Sequence, residues 1–227
     1  MNLQQVYDRL NFWINKKTNS WYSPEELDDA TDSGQMSLYA DLQPLYATSE
    51  RIKDALAPFK MKWNFTQANT ISGIIPIPTN LDFLNLLDVR ITFEISGRTR
   101  HVSLELPNED EMSTRLDSQI DPVTITSPIG EIESKQYIRV YPTGSGYDGT
   151  VTFLRRPVKP HFVYTTISER VVVYDDAAST QLEWSENWIN ALLLKALNSI
   201  GINLDDQELQ QFAEMKTGQN FQNINRT

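Results

Sequence analysis

A helix that is apolar almost all round is the feature of this sequence that most limits what it can fold into. It lies in the stretch 182–216. Ser185 is an N-capping residue type and Gly201 is the residue type that most often ends a helix. Between them Trp188, Ile189, Leu192, Leu193, Ala196, Leu197 and Ile200 recur at the helical period, and Ala191 and Leu194 widen the stripe. A helix with so little polar surface belongs inside a fold. Burying its large side chains contributes about 10–18 kcal/mol gross, an upper bound because the unfolded chain already hides some surface. A second helix is expected directly after it: Asp205 and Glu208 have capping-box spacing, and Leu204 and Leu209 have staple spacing. The expected result is a helical hairpin, followed by a tail over 217–227. That tail is rich in Asn and Gln, with Phe221 and Ile224 as its apolar residues, and by itself is expected to be extended.

At 227 residues the chain is long enough for one large domain or two small ones. Its formal net charge of −10 disfavours groove-binding to nucleic acid, because an acidic surface repels phosphate. With no cysteine, disulfides, thiolate metal sites and cysteine nucleophiles are all ruled out. No apolar run approaches the ~20 residues of a membrane helix, and the first residues lack the basic and apolar regions of a signal peptide.

Helices are also expected before the middle of the chain. Leu3, Val6, Tyr7, Leu10, Trp13 and Ile14 form one apolar face over 2–17, with Lys16 and Lys17 at the negative end. Ser23-Pro24-Glu25-Glu26 is a helix start with an N-cap serine, a first-turn proline and a capping-box glutamate. In that helix Ala30 and Gly34 keep the face narrow, which permits close approach of another helix. Pro44 interrupts it, and a shorter helix over 49–56 ends before Pro58. The period then changes to two. Phe59, Met61, Trp63 and Phe65 alternate with polar residues, as do Val89 to Ile95 and Val102 to Leu106, with Gly97 placed for a hairpin. Further strands are predicted over 123–126, 136–141, 149–155 and 170–174, a tight turn over 82–87 and a short acidic helix over 108–116. The fold class predicted is α+β: a helical bundle built from both chain ends (1–58 and 182–216) with an inserted antiparallel β domain (59–181), either a sandwich or a small barrel.

Each candidate for chemistry has a simpler reading. Gly144-Ser-Gly146-Tyr-Asp-Gly149 has dinucleotide-type glycine spacing but precedes a strand, so a hairpin turn is expected. His101 and His161 have no second ligand at helical spacing, so neither reads as a metal site. Asp28-Asp29, Asp175-Asp176 and Asp205-Asp206 lack calcium-loop spacing and read as caps or solvated acids. Trp13, Trp184 and Trp188 lie on apolar helical stripes and read as core, which leaves Trp63 open as a sugar platform. The basic segment Leu154-Arg155-Arg156-Pro157-Val158-Lys159-Pro160 reads as a protein contact in preference to a nucleic-acid contact. No residue is assigned a catalytic, cofactor or metal role.

Several stretches in order along the chain carry a family resemblance. They are Tyr7-Asp8-Arg9-Leu10, Ser23-Pro24-Glu25-Glu26, Gln35-Met36-Ser37-Leu38-Tyr39, Leu56-Ala57-Pro58-Phe59 and Ile77 through Leu84. Tyr137 through Pro142, Phe153 through Pro160 and Leu182-Glu183-Trp184-Ser185 complete the series. Together they resemble the head-to-tail adaptor proteins (neck or connector rings) of short-tailed bacteriophages, including crAss-like phages. The resemblance implies a virion protein, assembled in the bacterial host cytoplasm, that forms a homo-oligomeric ring, twelvefold in this family. Such a ring sits beneath the portal protein, meets other neck and tail proteins and lines a channel through which DNA passes without specific binding. It implies no enzymatic activity, no cofactor and no membrane partner. Arg155, Arg156, Lys159, Phe221 and Ile224 are the interface residues expected on this reading, the last two as anchors of a docking tail. The alternative expectation is a tail-associated accessory protein whose β domain binds a receptor or glycan.

Overall fold

The computed structural model describes residues 2–18, 22–67, 70, 72–78, 81–95, 97–120, 122–134, 137–143, 146–168 and 171–202. Along the chain run α1 (Leu3–Thr18), α2 (Pro24–Leu42), α3 (Glu50–Leu56), β1 (Lys60–Phe65), β2 (Ile74–Pro76), β3 (Phe83–Ile95) and β4 (Arg98–Ser103). They are followed by α4 (Glu109–Leu116), β5 (Ile129–Ser134), β6 (Tyr137–Tyr141), β7 (Asp148–Arg155), β8 (Tyr164–Ser168), β9 (Val171–Tyr174) and α5 (Glu186–Ser199). The chain divides into two compact units, a discontinuous one of Met1–Pro58 with Pro157–Thr227 and an inserted one of Phe59–Arg156.

In the discontinuous unit, α1 buries Leu3, Val6, Tyr7, Leu10 and Ile14, the face its period predicts, while Trp13 is half-buried. The start of α2 is fixed locally. Ser23 Oγ accepts the Glu26 amide at 3.2 Å and Glu26 Oε2 accepts the Ser23 amide at 2.8 Å, with Pro24 in the first turn. α2 ends in a 3-10 turn over Gln43–Leu45 that contains Pro44. α2 packs against α5. A Cβ added at Gly34 would lie 2.7 Å from the Ala196 nitrogen and 2.9 Å from its Cα, so the two backbones meet where the narrow face of α2 allows it. Trp188, Ile189, Leu192, Leu193, Ala196 and Leu197 of α5 are buried, and Trp184 just before it is buried too. Ser185 occupies the N-cap position of α5, but its hydroxyl caps no amide. The other end closes as a Schellman motif: Gly201 has φ +75°, Ile202 N–H donates to Leu197 O and Gly201 N–H to Asn198 O, both at 3.1 Å.

In the inserted unit, a four-stranded antiparallel sheet of order β1-β7-β3-β4 and a three-stranded one of order β2-β6-β5 line one core. Phe65, Val89, Ile91, Val151 and Phe153 come from the first sheet, and Ile75, Ile138 and Val140 from the second. β8 pairs with β9 as a separate two-stranded sheet, which belongs to the discontinuous unit because the insert ends at Arg156.

This architecture corrects the predicted fold class. Among the described residues five short helices and three separate antiparallel sheets form an α+β mixture, and no bundle is built from both chain ends. Among the described residues α5 is the single helix after the insert, α3 has seven residues, and the returning chain contributes a hairpin to the same unit. The predicted second helix over 204–216 lies outside the described residues. Two local expectations are also corrected. Residues 83–87 open the long strand β3, where register shifts between Phe83 and Asn85 and between Leu86 and Asp88 break the two-residue alternation. Residues 123–126 form no strand, and Thr124 makes only an isolated bridge with Ser127.

Candidate functional site

The densest polar constellation lies along one stripe of α2. Asp28, Thr31 and Gln35 follow each other at i, i+3 and i+7 and are 4%, 0% and 1% exposed. A buried carboxylate is costly unless its lone pairs are filled, and here they are. Tyr7 Oη donates to Asp28 Oδ1, the Phe162 amide donates at 3.1 Å to Oδ1 and 3.2 Å to Oδ2, and His161 Nδ1 lies 3.1 Å from Oδ2. Burial first, and then the Asp28 hydrogen bond, push the Tyr7 hydroxyl well above the ordinary tyrosine range. Next to it Gln35 Nε2 donates to Val158 O at 3.0 Å, and Lys159 Nζ pairs with Asp29 Oδ1 at 2.6 Å. The stripe thus receives the chain as it returns from the insert, through backbone groups of Val158 and Phe162 and side chains of Lys159 and His161. An aromatic stack reinforces the seam. The Phe162 ring lies between Tyr7, at 5.0 Å and 16°, and Tyr174, at 4.6 Å and 30°. Gln181 ties the far side, donating to Tyr174 Oη at 2.6 Å while its Oε1 accepts the Leu3 amide at 2.8 Å.

This seam corrects the reading of Asp28 as a cap or solvated acid: its ligands are 21 to 134 residues away in sequence. Asp175 and Asp176 follow the simpler reading. Asp175 Oδ1 accepts the amides of Ala177 and Ala178 at 3.1 Å each, and Asp176 accepts from Gln181 at 3.0 Å. Asp205 and Asp206 lie outside the described residues. His161 carries an imidazole whose side chain is 64% exposed, oriented from behind by Asp28. His101 sits in the other unit on the sheet register opposite Thr92, whose Oγ1 is 2.9 Å from its Nδ1. Among the described residues no three His, Cys, Asp or Glu side chains gather as a metal site.

The basic segment is divided between the units. Arg155 lies over the Phe59 ring at 5.9 Å and donates through Nη1 to Arg156 O at 3.0 Å, in the inserted unit. Lys159 is engaged by Asp29 in the discontinuous one, so the acid it pairs with belongs to its own chain. The two remaining interface residues, Phe221 and Ile224, lie outside the described residues. The glycine-rich turn joins β6 to β7, which belong to different sheets, so it is a crossover between sheets and not the hairpin expected. Gly149 serves packing: a Cβ there would fall 2.1 Å from Arg90 O and 2.5 Å from the Phe65 ring. Trp63 packs against the insert core and tilts on Phe65 at 5.9 Å, which takes its ring out of use as an open sugar platform.

In the inserted unit a cleft of about 620 Å³ is lined by Thr92, Glu94, Thr99, Ile125, Tyr147 and Asp148, among others. Its carboxylate Asp148 accepts the Gln67 amide at 2.8 Å. Large aliphatic side chains stand in water nearby in sequence: Ile120 is 98% exposed, Ile132 49%, Ile125 45% and Leu116 43%. Leu116 ends α4, Ile120 and Ile125 follow it and Ile132 lies on β5, which sequence reading missed because it contains Gly130. In comparisons with known proteins, no family model and no curated protein matches this chain.

Proposed function

We propose that this chain is a structural virion component that assembles into a ring joining the phage portal to the tail, with DNA passing through the lumen. What carries the reading is the run of exposed aliphatic residues from Leu116 to Ile132 on a chain of net charge −10. Exposed aliphatic side chains, where they gather on an otherwise charged surface, mark contacts with other protein. The polar groups that would invite a catalytic reading support it as well, since Asp28 and Asp29 hold distant parts of their own chain and Asp175 caps the turn that follows it. The acidic balance suits a channel wall that lets DNA slide. The family resemblance supplies the portal as neighbour and twelve as copy number.

Negative-stain imaging of the purified full chain, together with mass spectrometry of purified particles, tests this. Rings with a central hole, and the protein present in stoichiometric amount with the portal, are the expected results. A protein that stays monomeric and is missing from particles overturns the proposal.

A further inference from the structure

The two sheets of the inserted unit end in strands of opposite character, and we infer that copies of this chain meet head to tail through them. The lysine-bearing edge of β1 in one copy seats on the acidic, apolar edge made by α4 and β5 in the next. This inference rests on the ring reading above and names the surface that would build the ring.

The sheet orders place β1 and β2 at one end and β4 and β5 at the other. β4 and β5 share a flank, because the chain leaving β4 bridges in parallel from Glu105 to Ile129, and Glu105 O accepts the Gly130 amide at 2.9 Å. α4 is tied to the same flank by Arg115 Nη2, 3.3 Å from Glu105 Oε2, and its Met112 is buried. Among the described residues of this flank the acids Glu105, Glu109, Asp110, Glu111, Glu131 and Glu133 outnumber the bases Arg115, which pairs with Glu105, and Arg139, which pairs with Glu131 and Glu133. Arg98 and Arg100 sit toward the hairpin end of β4, roughly 16 Å or more from Glu105 at strand rise. Among the described residues no strand neighbours the outer edge of β5 past Gly130, and Ile132 is exposed there. The opposite flank is different. Lys60, Met61 and Lys62 of β1 are all exposed, and neither β1 nor β2 carries an acid.

An open strand edge is a template for pairing unless it is blocked. Two β1 edges brought together would oppose lysines, and two α4–β5 edges would oppose carboxylates. A twofold contact is therefore repelled at both edges, and the complementary pairing is β1 against α4–β5. That pairing joins different patches and repeats in one sense, the kind of contact that closes into a ring. Met61, Ile132 and the Leu116–Ile125 aliphatics provide apolar area inside a charged rim, the usual anatomy of a protein interface.

The chain has no cysteine, which allows a direct test. In the full chain, the double variant M61C/I132C treated with a short bismaleimide should give a ladder of covalent multimers, and I132C alone none. In parallel, K60E/K62E should weaken self-association at least tenfold, and K60E/K62E/E109K/D110K should recover it. Covalent dimers from M61C alone would mean a twofold β1 contact and overturn the inference. So would wild-type rings that neither cross-link in the double variant nor respond to K60E/K62E; in that case the ring reading stands and this surface is wrong. A wild-type chain that never assembles and is absent from particles overturns both.

Discussion

Asp28 ties α1 and α2 of the discontinuous unit to the chain returning from the insert. Its carboxylate satisfies a phenol, a backbone amide and an imidazole from α1 and from the returning chain. Removing it leaves the Tyr7 hydroxyl and the Phe162 amide buried without their acceptor. D28A should therefore cost about 3 kcal/mol of unfolding free energy, against about 1 kcal/mol for Y7F, measured by urea titration. The tyrosines make a separate, pH-dependent prediction. Tyr7 is raised by burial and by Asp28, Tyr39 is raised by burial to about 12, and Tyr147 is raised by burial. A raised folded-state value means the native protein keeps a proton that the unfolded chain releases. This stability is complete below the ordinary tyrosine value of about 10 and is lost as pH climbs beyond it. Urea midpoints should fall steadily between about pH 10 and 12, and less steeply in Y7F; equal slopes in the two proteins would refute the assignment to Tyr7. Asp28 itself was only partly legible in the sequence. The i, i+3, i+7 spacing of Asp28, Thr31 and Gln35 beside an apolar stripe was the available signal of a buried polar face. Its partners, more than 120 residues away for Val158, His161 and Phe162, have no local signature.

At the scale of elements, what was legible was whatever local chemistry decides. The capping box at Ser23, the proline stop of α2 and the glycine end of α5 all act within a few residues, and each lies where its spacing places it; the short acidic helix also forms, opened by a capping box at Asn108 and Glu111 that was there to be read and was missed. The crossing of α2 and α5 was legible at Gly34, although its partner Ala196 was not. G34A would gain helix propensity of about 1 kcal/mol, but its methyl would meet backbone atoms of Ala196 that cannot rotate away. Overpacking should dominate, with a net loss of about 1–2 kcal/mol for G34A and a larger loss for G34L. An unchanged urea midpoint for G34L would show that the helices part freely there. At Gly201 there is open space around the added atom but φ is +75°, so G201A should lose about 1–2 kcal/mol through backbone strain alone, and G201N less. Strands were harder to read because register and close approach set them. Bulges hide the alternation at the start of β3. In β5 Gly130 resembles a turn residue, yet it is there because a Cβ would come within 2.6 Å of Leu104 Cδ2 and 2.8 Å of Arg139 O. The bundle expected from both chain ends failed for a related reason: helical period shows that a face is buried, but not what covers it, and part of the cover on α2 is the strap Val158–Phe162.

At the scale of the whole molecule, a net charge of −10 sets a problem for any ring, because every added copy brings ten more negative charges. The range over which charges act decides the outcome. The Debye length is about 8 Å at 0.15 M salt and about 30 Å at 0.01 M. At 0.01 M whole-copy repulsion reaches across the assembly and opposes it. At 0.15 M that long-range repulsion is largely screened, while lysines and carboxylates in direct contact, partly shielded from water by Met61 and Ile132, are screened much less. Toward 1 M the contact itself weakens. Self-association of the wild-type chain should therefore pass through a maximum near physiological salt, as read by sedimentation velocity across a salt series. The K60E/K62E variant has a net charge of −14, since each exchange of lysine for glutamate subtracts two from −10, and it lacks the attractive term. Its residual association should rise continuously with salt. A wild-type curve that also rises without a maximum would assign assembly to the apolar residues alone and remove the charged rim from the account.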